Sequence, residues 1–302
     1  MSEFNWFGTG GDAKLFCVPE SHSEFREAVE FANQNNLDIF VLGEGANILI
    51  SDEGFDGLVI KPEFNKIELI GREFVRADAG VSFDKLIEFS LGSKLTGLEE
   101  LSGIPGTVGG AAYINIHFFD LLLSDFLFKA KVLKRKTAEI IDVDNSWFEF
   151  GYDKSKLQQK EFYLLNADFK VIESDEGGLR KAVERRNEII KYRKEKYPSE
   201  NTCGSFFRNL EPDEAPENKN GEKIIHAAYF LDNLKGKLSV GGAEVSSKHA
   251  NMIENNKQAK SADIFNLAVK MKAFAREKFG VNLTPECQFL GFREENLEKL
   301  SK

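Results

Sequence analysis

Between residues 22 and 34 the apolar positions Phe25, Ala28, Val29 and Ala32 recur every three to four residues, the spacing of one helix face. Ser21, with Glu24 three residues on, forms a capping box, so the pattern predicts a helix over His22–Gln34. Short apolar runs at Lys14–Val18, Ile39–Leu42 and Leu58–Lys61 read as strands around it. Together they make a β-α-β unit with a loop at the carboxyl end of a strand, where α/β folds bind ligands. Lys66 to Val81 reads as strand, turn at Gly71-Arg72, strand. Phe83, Leu86, Ile87 and Leu91 then predict a second helix, capped by Ser82 or Asp84. Strand-like runs at Ala130–Leu133, Ile140–Val143 and Tyr163–Val171, separated by polar turns, complete an α+β region rich in antiparallel sheet.

The second half begins with a charged helix over Ser174–Lys196, with Leu179, Val183 and Ile190 on one face and Pro198 ending it. Glu211–Glu222 is rich in Pro, Asn and acids and reads as loop. Ile264, Leu267, Ala268, Met271, Ala275 and Phe279 form the longest helical stripe, with Ser261 as the expected cap and Gly280 as the stop. Asn282–Phe289 reads as a final strand. The expected division is one region over 1–173, itself two α+β lobes, and a smaller α+β domain over 174–302.

Length and charge narrow the classes. A chain of 302 residues with 42% hydrophobic and 29% charged positions is that of a globular protein of about two domains. No run approaches the roughly 20 apolar residues of a membrane span, and no signal peptide is read at the N-terminus. A net charge of −9 argues against a nucleic-acid binder. Three scattered cysteines, Cys17, Cys203 and Cys287, suggest neither a metal site nor a disulfide framework and fit a reducing cytoplasm. The basic run from Arg180 to Lys196 reads either as a solvated helix face or as a phosphate site.

Two stretches carry the candidate chemistry, VLGEGANILISDEGFD from Val41 and SGIPGTVGGA from Ser102. Glycine-rich turns after apolar runs can bring backbone N–H groups up to a phosphate or pyrophosphate, or can be ordinary turns. Neither has the GxGxxG spacing at a helix start of a Rossmann site. The four histidines, His22, His117, His226 and His249, share no metal-ligand spacing and are read as structural or surface residues. Ser205, in CGSFFRN after the basic helix, reads as a proton donor or as a turn serine. Glu286, in LTPECQFLGF, either points to water or faces a closed site as an acid.

LGEGANILISDEGFDGLVI, GLEELSGIPGTVGGA, GSFFRN, VGGAEVSSKHANMIEN and FGVNLTPECQFLGF, in that order, closely resemble the UDP-N-acetylenolpyruvoylglucosamine reductases over about Gly8 to Phe292. The resemblance implies an FAD-binding domain of the vanillyl-alcohol-oxidase type followed by a substrate-binding domain. It implies a cytoplasmic flavin-dependent oxidoreductase, expected as a monomer, that makes UDP-N-acetylmuramate for peptidoglycan, and so serves cell shape and division. FAD would be the cofactor, with NADPH and UDP-N-acetylglucosamine enolpyruvate taking turns at one site. No nucleic acid, membrane or metal is expected. The alternative is a degenerate relative that binds FAD but acts on another substrate, or on none.

Residue by residue, the resemblance assigns FAD contacts to Gly43, Glu44, Gly45, Ala46, Asn47 and Ile48 in the first loop and to Gly80. In the second it assigns them to Gly103, Ile104, Pro105, Gly106, Thr107, Gly109, Gly110 and Ala111. Ser205 matches the proton donor and Glu286 the carboxylate of the closing Pro-Glu motif. Tyr152, Lys196 and Asn209 match substrate-binding positions. Two departures stand out. The family's catalytic arginine lies in Phe-Gly-Tyr-Arg-x-Ser, and this chain has Asp153 there, with Lys154 next to it as the substitute cation. Where the family has a glycine-rich segment after the second loop, this chain reads Asn115-Ile116-His117-Phe118-Phe119-Asp120.

Overall fold

The computed structural model describes residues 1–301 and resolves into two compact units, each with its own apolar core. A middle unit holds Leu15–Glu44 and Asp56–Arg193, and a terminal unit holds Met1–Lys14, Gly45–Phe55 and Lys194–Lys302.

The middle unit begins with helix α1 (His22–Gln34), which buries Phe25, Val29 and Ala32, the stripe read from its spacing. Fully burying side chains of this size contributes about 1.5–3 kcal/mol each. Ser21 Oγ accepts from the Glu24 N–H at 3.2 Å, but the Glu24 carboxylate reaches one residue further back, to the Glu20 N–H at 2.8 Å. A three-stranded sheet pairs Phe55–Ile60 with Ala13–Cys17 on one side and, in parallel, with Ile39–Val41 on the other. A five-stranded antiparallel sheet runs in the order Ile140–Asp144, Leu127–Lys134, Phe162–Lys170, Phe74–Asp78, Ile67–Ile70. Cross-strand partners Arg76 and Asp168 form a two-point ion pair at 2.6 and 3.0 Å, which raises the Arg76 pKa through its hydrogen bond to the carboxylate.

Helix α2 (Phe83–Gly92) buries Phe83, Leu86, Ile87 and Leu91 as expected, although neither candidate cap makes a capping hydrogen bond: the Asp84 carboxylate is held by Arg186. Helix α3 (Val108–Ile114) occupies the second half of a stretch read as loop, because its glycines masked the helical pattern. It packs against the strands Phe162–Lys170 and Phe74–Asp78. Helix α4 (Glu176–Lys196) buries Ala182 and Ile189, seven residues apart, rather than the expected Val183, which is exposed. The true stripe is narrower and one position earlier, as suits a helix that keeps most of its surface in water.

In the terminal unit Ile48–Ile50 pairs in parallel with Gln288–Leu290, joining segments more than two hundred residues apart. That pairing explains why the units do not follow a single cut at 173: the stretch after Glu44 is a strand of the C-terminal core, and α4 up to Arg193 stays with the sheet before it. A small antiparallel sheet (Ser239–Val240, Ala243–Val245, Ile253–Asn255) is joined by α5 (Ala227–Leu231), α6 (Ser261–Phe279) and α7 (Glu294–Ser301).

In α6 Ile264, Leu267, Ala268, Met271 and Ala275 are all buried, and Gly280 ends it in the left-handed conformation at φ +70°. The expected cap at Ser261 is corrected. Ser261 is the first helical residue, its hydroxyl bonded to Thr9 Oγ1 at 2.8 Å, and the Asp52 carboxylate takes the N–H groups of Ser261 and Ala262 at 2.9 Å each. The final strand is also shorter than expected, Gln288–Leu290 only. Pro285 has no N–H, and the stretch before the strand bonds residue by residue to Phe206–Arg208 instead of forming a regular ladder.

Candidate active site

In the middle unit the second glycine loop is built from its neighbours. Val108 and Gly109 donate to the carbonyls of Val81 and Ala79 at 2.8 and 2.9 Å. Thr107 caps α3, its hydroxyl accepting from Gly110 N–H at 3.2 Å, and the Glu44 carboxylate accepts from Gly106 N–H at 2.9 Å. Bare amides along the whole loop are therefore not what this stretch provides: Gly106, Val108, Gly109 and Gly110 are already bonded. Among the described residues no protein oxygen accepts from the N–H groups of Gly103 and Ile104, nor from those of Gly43 through Asn47.

The approach of the two loops leaves no room for side chains. A Cβ on Gly43 would lie 2.7 Å from Thr107 Oγ1, and one on Gly80 2.6 Å from the Phe64 carbonyl oxygen. Ser102 Oγ is buried with no hydrogen-bond partner, and Ala111 is buried in α3, with Ile104 and Pro105 half-buried above it. Open N–H groups and an unpartnered hydroxyl on glycine-lined backbone fit the phosphates of a dinucleotide.

The basic helix belongs to this unit's own acids. Arg186 pairs with Asp84 at 2.8 Å and Glu88 at 3.1 Å, and Arg185 pairs with Glu100 at 3.0 Å, which raises its pKa chiefly through that hydrogen bond. Arg193 Nε donates to the Gly103 carbonyl at 2.8 Å, and its guanidinium lies 5.6 Å from the centre of the Phe118 ring. Phe118 is buried in the core, whereas Phe119, with φ +52°, is exposed. Both lie on the hairpin His117–Phe118/Leu121–Leu122, so the bulky residues of this segment divide between core and solvent.

Tyr152, Asp153 and Lys154 form a tight turn closed by backbone bonds between Gly151 and Lys154 at 3.0 and 3.3 Å. Lys154 is exposed. Asp153, with φ +51°, turns its carboxylate inward, 3.3 Å from His117 Nδ1, and the Tyr152 ring centre lies 4.4 Å from that of His117.

In the terminal unit Asn47, Ser205 and Glu286 are held by one backbone network. Glu286 N–H donates to the Phe206 carbonyl at 2.9 Å, Gln288 N–H to the Asn47 carbonyl at 3.2 Å, and Asn47 Nδ2 to the Glu286 carbonyl at 3.4 Å. Asn47 Oδ1 is buried without a partner. Ser205 bridges to Met252, and Phe206 and Phe207 behind it are wholly buried, so the serine stands on a rigid base. Asn251 clamps this base, its amide donating to the Phe207 carbonyl at 2.7 Å and accepting from the Phe207 N–H at 3.1 Å.

Gly45 needs its φ of +68°, and a side chain there would strike the Phe4 carbonyl. Ala46 is half-buried beside it and Ile48 starts the buried strand. Asn209 accepts from the Ala227 N–H at 3.1 Å, at the start of α5, while Lys196 is exposed at the end of α4. Asp52, Asn251 and Arg193 are positioning residues that sequence reading did not single out. Only Asp52 carries a local signal, an acid between a strand and a glycine turn.

Comparison with known proteins places this geometry. Residues 13–144 match the family described as FAD binding domain, and residues 196–290 match the C-terminal domain of UDP-N-acetylenolpyruvoylglucosamine reductase. The UDP-N-acetylenolpyruvoylglucosamine reductase of Clostridium beijerinckii is 33% identical over 96% of this chain and 91% of its own length. That of Caldanaerobacter subterraneus is also 33% identical, over 96% and 92%. The crystal structure of UDP-N-acetylenolpyruvylglucosamine reductase from Thermus caldophilus superposes with a TM-score of 0.78 at 27% identity, covering 96% of each chain. With its glycine loops, its serine–glutamate network and its full-length relatives in accord, the chain belongs to the UDP-N-acetylenolpyruvoylglucosamine reductase family.

Proposed function

We propose that this protein reduces UDP-N-acetylenolpyruvoylglucosamine to UDP-N-acetylmuramate with electrons from NADPH, as a monomeric cytoplasmic step of peptidoglycan precursor synthesis. The reading is carried by the hydrogen bond from Glu286 N–H to the Phe206 carbonyl, which fixes a hydroxyl-bearing and a carboxyl-bearing segment side by side. FAD, when bound, supplies the two-electron relay between the nicotinamide and the enolpyruvyl double bond.

The open N–H groups of Gly43–Asn47, Gly103 and Ile104 would hold its pyrophosphate, with Ser102 Oγ a further donor. The close-packed backbone at Gly80 and Gly109 excludes water from that side. Ser205 Oγ would donate the proton that completes the lactyl ether, and Glu286 would stabilise the enolate-like charge that builds beside the carboxylate. Lys196, Tyr152 and Asn209 would orient the nucleotide-sugar, and the 152–154 turn would provide the cation, Lys154 being the candidate legible from sequence. The test is incubation of the FAD-loaded protein with NADPH and UDP-N-acetylenolpyruvoylglucosamine. Mass spectrometry should show UDP-N-acetylmuramate formed in step with NADPH loss, and NADPH loss without that product would exclude this substrate.

A further inference from the structure

The His117–Asp153 contact is the one buried acid–base pair in the middle unit's turn region that the proposed chemistry leaves unused. Asp153 has a side chain only 9% exposed, and neither of its carboxylate oxygens has a hydrogen-bond partner among the described residues. A buried carboxylate without donors is costly unless a positive charge stands against it. The group that stands there is His117, with Nδ1 3.3 Å from Oδ1. The ring's Nδ1 is buried but its Nε2 is not among the buried atoms, so the imidazole turns one nitrogen to the acid and leaves the other accessible.

The arrangement is held from three sides. Asn115 Nδ2 donates to the Gly151 carbonyl at 2.9 Å, tying the end of α3 to the turn that carries Asp153. Gln158 Nε2 donates to the Asp153 carbonyl at 2.8 Å, and the Tyr152 ring packs against the imidazole. Phe118, next to His117, lies beside the Arg193 guanidinium that bonds the Gly103 carbonyl, which links the pair to the second glycine loop. An imidazole fixed by a carboxylate at one nitrogen is a positioned donor at the other.

We propose that His117 donates from Nε2 to the carboxylate of the enolpyruvyl substrate, with Asp153 as its positioning residue. This assigns the cation of the turn region to the hairpin residue His117 rather than to Lys154, which is exposed and enters no ion pair among the described residues. It rests on the substrate named above, and it explains how an acid at 153 is compatible with stabilising negative charge: Asp153 acts through a histidine recruited from the segment 115–120.

The test combines ¹⁵N-histidine NMR of the FAD-loaded protein with half-reaction kinetics. UDP-N-acetylenolpyruvoylglucosamine should shift the His117 Nε2 signal, and Asp153→Asn should alter the Nδ1 signal and raise KM. His117→Gln should slow flavin reoxidation by substrate about hundredfold more than it slows flavin reduction by NADPH, the scale of losing one aligned donor. Lys154→Ala should change the two rates together and little. An unmoved Nε2 signal, or equal loss of both half-reactions in His117→Gln, overturns the assignment. If that variant does not fold, the Asp153→Asn spectrum and the ligand titration of the unaltered protein decide. Failure of the unaltered protein to be reoxidised by this substrate removes the proposed function itself, and the two failures are thereby distinct.

Discussion

The Glu44 carboxylate accepts a hydrogen bond from the Gly106 N–H at 2.9 Å, so one glycine loop holds the other in place. Sixty-two residues of chain separate the partners, and the bond fixes the spacing of backbone amides that face the same way only if both loops keep their shape. Replacing Glu44 by Ala removes a hydrogen bond to a charged group, worth about 1.5 kcal/mol or roughly tenfold in equilibrium terms. The expected result is an FAD dissociation constant raised about tenfold, read by flavin fluorescence on the protein freed of cofactor. Unchanged or tighter binding would mean that Glu44 merely occupies an amide that the phosphates would otherwise use.

Asp52 closes the N-terminus of α6 by accepting from two successive N–H groups. Asp52→Ala leaves both without an acceptor and should cost about 1–2 kcal/mol of stability. Thermal denaturation followed by circular dichroism should show a melting temperature lower by a few degrees, whereas Ser261→Ala should cost less because its hydroxyl does not cap the helix. The reverse order would restore Ser261 as the cap.

His249 supplies a pH dependence. Burial above all, with the nearby charge of Lys235 adding, holds its pKa below the ordinary value near 6.5, and its Nδ1 has no partner. The unfolded chain therefore takes up this proton before the folded one. The associated stability is complete above about pH 6.5 and is lost as pH falls through the folded-state value. Urea denaturation at pH 7.5, 6 and 5 should show a decline that is shallower in His249→Phe, a ring that can still meet Tyr197. Equal slopes in the two proteins would assign the acid sensitivity to other groups.

Much of the fold was legible because its signals are local. α1 has the predicted bounds, and the α6 stripe is buried at Ile264, Leu267, Ala268, Met271 and Ala275, since periodicity within one helix needs no knowledge of the rest of the chain. What stayed hidden depends on partners far away in sequence. The cap of α6 comes from Asp52, the strand at Ile48–Ile50 exists because Gln288–Leu290 lies beside it, and α3 forms in a glycine-rich stretch because Thr107 and the strands beneath it support the helix. The site behaves likewise. The glycine loops, Ser205 and Glu286 could be singled out from neighbours in sequence, but the distribution of open and occupied amides could not. Nor could the contact between His117 and Asp153, two residues that look like separate departures from the family pattern until the fold brings them together.

Ser205 gives the most direct measurement. The protein is loaded with FAD, reduced anaerobically with one equivalent of NADPH, and mixed in a stopped-flow spectrometer with UDP-N-acetylenolpyruvoylglucosamine, the unaltered chain beside Ser205→Ala. The flavin absorbance of the unaltered protein should return as UDP-N-acetylmuramate forms. In the variant product formation should slow by about 10²- to 10⁴-fold, with reduction by NADPH far less affected. No substrate-dependent return of absorbance in the unaltered protein, or identical rates in both proteins, would contradict the account.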